Sequence, residues 1–296
     1  MVDPKLEGKV AIITGANNPL GIGAAIAKSL TKQGVKVFLQ YFRFINPNSE
    51  FKIHNESSNI EFGEIFYRQM LLENCDKVLE SLKAAGGESY AFEADLSNPD
   101  NIPIIFNKAE EHFEKIEILI NNAAYWEADT FIPPNNKLQN ELVEKWSSKP
   151  GTITKDSFDR LFAVNTKAPV LMIKEFASRY INKNLKWGRI VNISTDGAYC
   201  FPSEITYGAS KFALESYSRS AAIELGKFGI TVNAISLGAV QTGWINSELE
   251  RELLPNIPLG KIGSPEDVAD IVLFLVSDQA RWLTGQRIFV GGGHEV

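Results

Sequence analysis

Val10-Ala11-Ile12-Ile13-Thr14-Gly15-Ala16-Asn17-Asn18-Pro19-Leu20-Gly21-Ile22-Gly23 decides the fold. A short apolar, β-branched run leads into a glycine-rich turn, and Ala24–Gln33 continues with the apolar spacing of a helix. A strand, glycines and a helix N-terminus in that order set backbone N–H groups and the positive helix end against a pyrophosphate. Gly15 permits the tight turn, while Gly21 and Gly23 allow close approach of phosphate and sheet. Glycines in a turn are often only a turn; their place directly after the first strand favours the dinucleotide reading.

The same alternation runs outward along the chain. Val35–Tyr41, Ser89–Ala94, Ile116–Ile120, Arg189–Ser194, Thr231–Ile235 and Arg287–Val290 read as further strands, each preceded by a segment of helical period. Their continuous apolar character points to burial on both faces, as in a parallel sheet. Strands separated by helices imply right-handed crossovers and a doubly wound α/β fold, a Rossmann-type three-layer sandwich around a central parallel β-sheet. Residues 44–70 and 126–152 interrupt the rhythm with Asn, Ser and Pro where short connections would serve. Residues 1–296 therefore read as one domain with two insertions, each either functional or a plain surface elaboration.

The 296 residues are 44% hydrophobic and 22% charged, enough for a sizeable core, with a net charge of −6. An acidic chain without a Lys/Arg-rich block has no electrostatic footprint for nucleic acid or anionic lipid. No apolar run is long enough to span a bilayer, and Met1–Glu7 lacks a signal-peptide core, so a cytoplasmic protein is expected. Cys75 and Cys200 read as two free thiols, too few for a Cys-rich zinc site, and no metal is expected.

The end of the second strand bears on which dinucleotide binds. A carboxylate there would accept hydrogen bonds from the ribose 2′-OH and repel a 2′-phosphate. Leu39-Gln40-Tyr41-Phe42-Arg43 has none. Arg43 is either the guanidinium partner of a 2′-phosphate or a solvated loop charge, and Asn17 adds a further hydrogen-bonding group. NADP(H) is favoured over NAD(H).

After the fifth strand comes Tyr207-Gly208-Ala209-Ser210-Lys211. On a helix, positions i and i+4 share a face, so the ammonium lies beside the phenol and favours phenolate. Together with the glycine loop, Asn121-Asn122-Ala123-Ala124 and Val164-Asn165, the chain resembles the short-chain dehydrogenase/reductase superfamily from about Lys5 to its end, similar to its 3-oxoacyl-[acyl-carrier-protein] reductase-like members.

The resemblance implies an oxidoreductase that interconverts a ketone and a secondary alcohol, with a small-molecule substrate. Tyr207 would be the general acid/base, and Lys211 would lower its pKa and hydrogen-bond the nicotinamide ribose. Asn165 would hold a relay water, Asn121 would stabilise the fourth strand, and Asp95 would contact adenine, with Leu96 beside it. Ile22, Asn122, Ala123, Gly238, Val240 and Thr242 would complete the cofactor site, Thr242 at the carboxamide. The substrate-orienting hydroxyl is Thr195 by strand register or Ser194 by its distance from the tyrosine. Only one of the two points into the site, and register leans to Thr195.

Two departures stand out. Five residues separate Gly15 from Gly21, a spacing that looks like the enoyl reductase branch. That branch places its tyrosine seven positions before the lysine, where this chain has Glu204, which argues for carbonyl chemistry. Leu237-Gly238 stands where the family usually has Pro-Gly. Enoyl-thioester reduction and a non-catalytic dinucleotide-binding protein are the alternatives. Trp126, Tyr199, Phe201 and Trp244 are candidate pocket residues, and Trp244–Pro258 resembles a substrate lid that is less ordered without ligand. Pro265–Gly293 resembles the surfaces that build homotetramers or homodimers.

Overall fold

The computed structural model describes residues 3–43, 61–134, 136–138, 143 and 151–294. In chain order its strands are β1 (Val10–Thr14), β2 (Lys36–Tyr41), β3 (Ser89–Glu93), β4 (Ile118–Asn121), β5 (Asp129–Thr130), β6 (Gly151–Thr152), β7 (Gly188–Thr195), β8 (Ile230–Leu237) and β9 (Arg287–Val290). Its helices are α1 (Ile22–Thr31), α2 (Glu64–Leu72), α3 (Asp76–Ala84), α4 (Asn101–Phe113), α5 (Lys155–Phe162), α6 (Ala168–Asn182), α7 (Ile205–Leu225), α8 (Ser247–Leu253) and α9 (Pro265–Val276).

Every run read as a strand joins one seven-stranded sheet of order β3-β2-β1-β4-β7-β8-β9, and all neighbours are parallel. β5 and β6 form a separate two-stranded ladder. The period of two in a strand shows in β1: Ala11 and Ile13 pack toward α1, α3 and α9, whereas Val10 and Ile12 pack toward α4, α6 and α7. β1 is buried along its whole length, which is why it reads as an unbroken apolar run. Because β1 lies between β2 and β4, the winding reverses there, and the crevice beyond the carboxyl ends of these strands is the natural ligand site.

The insertions are only partly loops. Glu64–Met70 belongs to α2, with an i,i+4 pair between Arg68 and Glu64, so the last part of the first insertion is helical. Its Asn, Ser and Pro residues lie upstream, and 44–60 fall outside the described residues, as do 135, 139–142 and 144–150 of the second. Both cysteines are free thiols; burial pushes Cys75 up to about 12. Among the described residues no helix is long and apolar enough to cross a membrane.

Candidate active site

The glycine loop is held at close quarters. Gly15 has φ +68°, and a Cβ there would lie 2.7 Å from the Ala123 Cα. A Cβ on Gly23 would lie 2.6 Å from the Gly15 carbonyl oxygen and 2.8 Å from Asn122 Nδ2. Thr14 Oγ1 accepts from the N–H groups of Asn122 and Ala123, each at 3.0 Å. Asn122 Nδ2 in turn donates to the carbonyls of Thr14 and Gly15. Asn122 and Ala123 therefore fasten the end of β4 to the loop. Gly21 caps α1 with no side-chain hydrogen bond, so Ile22 opens a helix whose first N–H groups have no side-chain acceptor at the cap.

Asn17 is used differently from the sequence expectation. Its amide donates to the carbonyls of Leu71 and Glu73, both at 2.9 Å, so it clamps the segment that ends α2 instead of offering those hydrogens to a ribose phosphate. Asn18 bridges the loop to the other side of the crevice by donating to the Thr242 carbonyl, 3.1 Å away. Val240 bridges to Gly263, and Gly238 lies against Gly291, where a Cβ would approach the Gly291 Cα to 2.8 Å.

At the end of β2, Arg43 forks onto Glu93, with Nε and Nη2 2.6–3.1 Å from its carboxylate oxygens. Register explains the partner: Tyr41 pairs with Glu93 across β2 and β3. The sheet thus brings a carboxylate from the third strand against Arg43. The Arg43 hydrogen bond holds the Glu93 carboxyl below its usual value. Asp95 accepts from the Ser97 N–H and closes the turn after β3, and Leu96 is buried there.

Tyr207 and Lys211 sit one turn apart at the start of α7, with Lys211 Nζ 5.9 Å from the Tyr207 ring centroid. Lys211 is buried and donates to the Ile193 carbonyl at 2.9 Å; burial pulls its ammonium down to about 8. Burial pushes the Tyr207 phenol above its ordinary value, and Glu204 pushes it further. Lys211 is expected from the sequence to lower the Tyr207 pKa; here desolvation and a neighbouring carboxylate act on the phenol in the opposite direction.

Asn165 lies in a π-helical segment, Ala163–Lys167, between α5 and α6. Such bulges cluster at functional sites because they re-aim a side chain. Its amide donates to the Tyr125 carbonyl and Ser210 Oγ, and its Oδ1 accepts from the Tyr125 N–H. Asn121 donates to Asn192, which donates to Ser218, a buried chain that ties β4 and β7 to α7. Ser194 and Thr195 separate as strand alternation requires. Ser194 Oγ donates to buried Glu215 at 2.6 Å, and Glu215 also pairs with Arg287. Thr195 Oγ1 is 3.4 Å from Asp196, whose other oxygen lies 2.7 Å from His294 Nδ1.

Comparison with known proteins shows the family. Residues 66–295 match the family described as Enoyl-(Acyl carrier protein) reductase. An uncharacterized oxidoreductase, YjdA of Bacillus subtilis (strain 168), is 32% identical over 97% of each chain. Versicolorin reductase stcU of Emericella nidulans is 32% identical over 98% of this chain and 96% of its own. A short-chain type dehydrogenase/reductase from Mycobacterium marinum shares the fold at a TM-score of 0.74 and 22% identity, covering 99% of this chain and 97% of its own. The chain is a short-chain dehydrogenase/reductase.

As a short-chain dehydrogenase/reductase it is an NAD(P)-dependent oxidoreductase of the CH–OH/C=O type. In this dehydrogenase/reductase, aromatic rings from the loops after β4 and β8 meet one from α2. Trp244 meets Trp126 and Tyr67 edge-on, each at 5.1 Å between centroids, and Phe201 packs 6.2 Å from Tyr207. Tyr67 comes from α2, within a stretch read as loop, and nothing in its local sequence marks it. Tyr199 does not join them: it is 80% exposed and lies edge-on to Phe212. Trp126 Nε1 donates to Glu204 Oε2 at 2.5 Å. In the stretch resembling a lid, Ser247–Leu253 forms α8, capped by the Asn246 side chain.

Proposed function

We propose that the chain is an NADP(H)-dependent oxidoreductase that interconverts a ketone and a secondary alcohol, with Tyr207 as the group that protonates or deprotonates the substrate oxygen. The observation that carries this reading is the Tyr207–Lys211 pair at the carboxyl end of the sheet, Tyr207 half-buried and Lys211 buried and anchored by the Ile193 carbonyl. The loop from Gly15 to Gly23 fits a pyrophosphate, since its glycines let the backbone pack closely against β4 and α1, whose first N–H groups have no side-chain acceptor at the cap. A bound nicotinamide supplies or accepts the hydride. Burial keeps Tyr207 protonated, which suits a proton donor to a carbonyl oxygen. Lys211 holds the nicotinamide ribose, and the Asn165 segment positions the relay water.

Thr195 is the hydroxyl that orients the substrate carbonyl, because Ser194 is committed to Glu215. Thr195→Val is expected to lower kcat by about 10²-fold, the usual loss for one donor to a developing oxyanion. Ser194→Ala is expected to leave kcat nearly unchanged and to lower unfolding free energy by about 1–3 kcal/mol, because Glu215 loses a donor. Steady-state kinetics and urea melts read the two effects. Loss of kcat in the Ser194 variant alone would reverse the assignment.

Arg43 supports NADP(H), with its fork exchanging Glu93 for the 2′-phosphate. Fluorescence titration should show NADPH binding more tightly than NADH. Arg43→Ser should weaken NADPH by about tenfold or more, in line with a lost charge-assisted contact, and leave NADH little changed. Tighter NADH binding in the unaltered protein would overturn the preference; binding of neither would sink the enzyme reading.

The rings of Trp126, Trp244, Tyr67 and Phe201 favour a ketone on a flat apolar framework over the long chain of a 3-oxoacyl thioester. Enoyl-thioester reduction is the second reading, favoured by the description of the matched family and opposed by Glu204 where that branch has its tyrosine. Consumption of an enoyl thioester in preference to any ketone would select it. Assembly into a homotetramer or homodimer is supported by exposed Phe274 on α9 and Phe289 on the edge strand β9. A cytoplasmic location remains part of the proposal.

A further inference from the structure

Three buried polar atoms near the start of α7 have no hydrogen-bond partner among the described residues: Asp129 Oδ2, Ser203 Oγ and Glu204 Oε1. The backbone sets their residues side by side. The Asp129 N–H donates to the Ser203 carbonyl at 3.1 Å, and Asp129 and Glu204 form a parallel bridge. The other carboxylate oxygens are each satisfied once, Asp129 Oδ1 by the Thr206 N–H at 2.9 Å and Glu204 Oε2 by Trp126. Ser203 has φ +68°, a conformation rare outside glycine, which persists only where the surroundings impose it.

Donors and acceptors at this point do not balance with both carboxyls ionised. Ser203 has one proton to give, and two carboxylate oxygens await one. Buried polar groups are seldom left unpaired, and adjacent carboxylates that share a site retain a proton.

We propose that Asp129 and Glu204 hold one proton between them as a carboxyl–carboxylate pair, and that this pair is a positioning element that sets how readily Tyr207 ionises. The proposal rests on the role given to Tyr207 above. Glu204 precedes Tyr207 by three residues at the N-terminal boundary of α7. The other groups that face the pair or Tyr207 are Lys211 one turn further along α7, Asp196 from the turn after β7, itself held by His294, and Tyr67 from α2. Burial pushes Glu204 up to about 7, with Asp129 and Asp196 adding to it and the Trp126 hydrogen bond opposing. Below that pH Glu204 is neutral. Above it the shared proton leaves, and the added negative charge disfavours the Tyr207 phenolate. Alcohol oxidation needs that phenolate to accept a proton, whereas ketone reduction uses the phenol.

Two isosteric variants test the pair because each removes one of its two charges at a different distance along the chain from Tyr207. Glu204→Gln removes the charge and keeps a donor toward Asp129. The pH limb of kcat/KM for alcohol oxidation should shift down by about one unit, tenfold in rate at a fixed pH on the limb. Asp129→Asn removes the other charge of the pair and leaves Glu204 ionised beside Tyr207, so the limb should move in the same direction but less than in Glu204→Gln. No shift in Glu204→Gln, or an upward shift in either variant, would overturn the proposal. A readout independent of turnover is the infrared carbonyl band of a protonated carboxylic acid. It should vanish as pH rises through about 7 and be missing in Glu204→Gln. Turnover without that band overturns the pair. The band without any ketone or alcohol turnover overturns the role of Tyr207, and with it the second half of the proposal.

Discussion

Tyr207→Phe is expected to lower kcat for ketone reduction by about 10²–10⁴-fold, the range that a positioned general acid contributes. The phenol is the group at the start of α7 that burial keeps protonated, so its loss removes the proton that reaches the carbonyl oxygen. Lys211 remains on the Ile193 carbonyl, and the glycine loop is untouched. NADPH affinity should therefore stay within about threefold, well below the tenfold that 1.4 kcal/mol would produce. Measuring kcat and cofactor binding on the same preparation separates chemistry from binding. A variant that turns over at the original rate would remove Tyr207 from the mechanism, and a variant that loses NADPH would point to a structural role instead.

How much of this was legible in the sequence depends on whether a feature is local. β1, the glycine turn and α1 announce themselves because an apolar run, φ-permissive residues and a helical period follow in order. The Tyr207–Lys211 spacing is likewise local, fixed by one helical turn. Partners drawn from other strands were not legible. Glu93 reaches Arg43 through parallel pairing of β2 with β3. Glu215 claims Ser194 from a helix 21 residues further on, a contact that supports Thr195 in the proposed role where the sequence leaves two adjacent hydroxyls open. Asn17 looked free for a phosphate because α2, whose end it clamps, arises in a stretch read as loop. Asp129 and Glu204 meet through a bridge across 75 residues, for which neither periodicity nor motif gives a sign.

Gly23→Ala sets a local preference against packing, and packing is expected to win. In an exposed helix interior alanine is better than glycine by about 1 kcal/mol. Gly23 lies in the first turn of α1, where a methyl group would meet the Gly15 carbonyl oxygen at 2.6 Å, Asn122 Nδ2 at 2.8 Å and the Ala16 Cα at 3.0 Å. Two of these are backbone, and Asn122 is fixed by its bonds to the Thr14 and Gly15 carbonyls, so no neighbour can yield cheaply. Overpacking of this kind costs about 1–3 kcal/mol. The net effect is a lower melting temperature despite the higher helix propensity. Relief of the clash must move the α1 N-terminus away from the loop, displacing the N–H groups proposed to hold the pyrophosphate. NADPH affinity should fall by at least about tenfold, equivalent to some 1.4 kcal/mol. Gly21→Ala is the control: its nearest contact is 3.0 Å, to the Asn18 carbonyl oxygen, and the next is the Asn18 side chain. It should cost less in both melting temperature and affinity. If Gly23→Ala instead melts higher and binds NADPH as before, the close approach of α1 to the β1 loop is not what shapes the cofactor site.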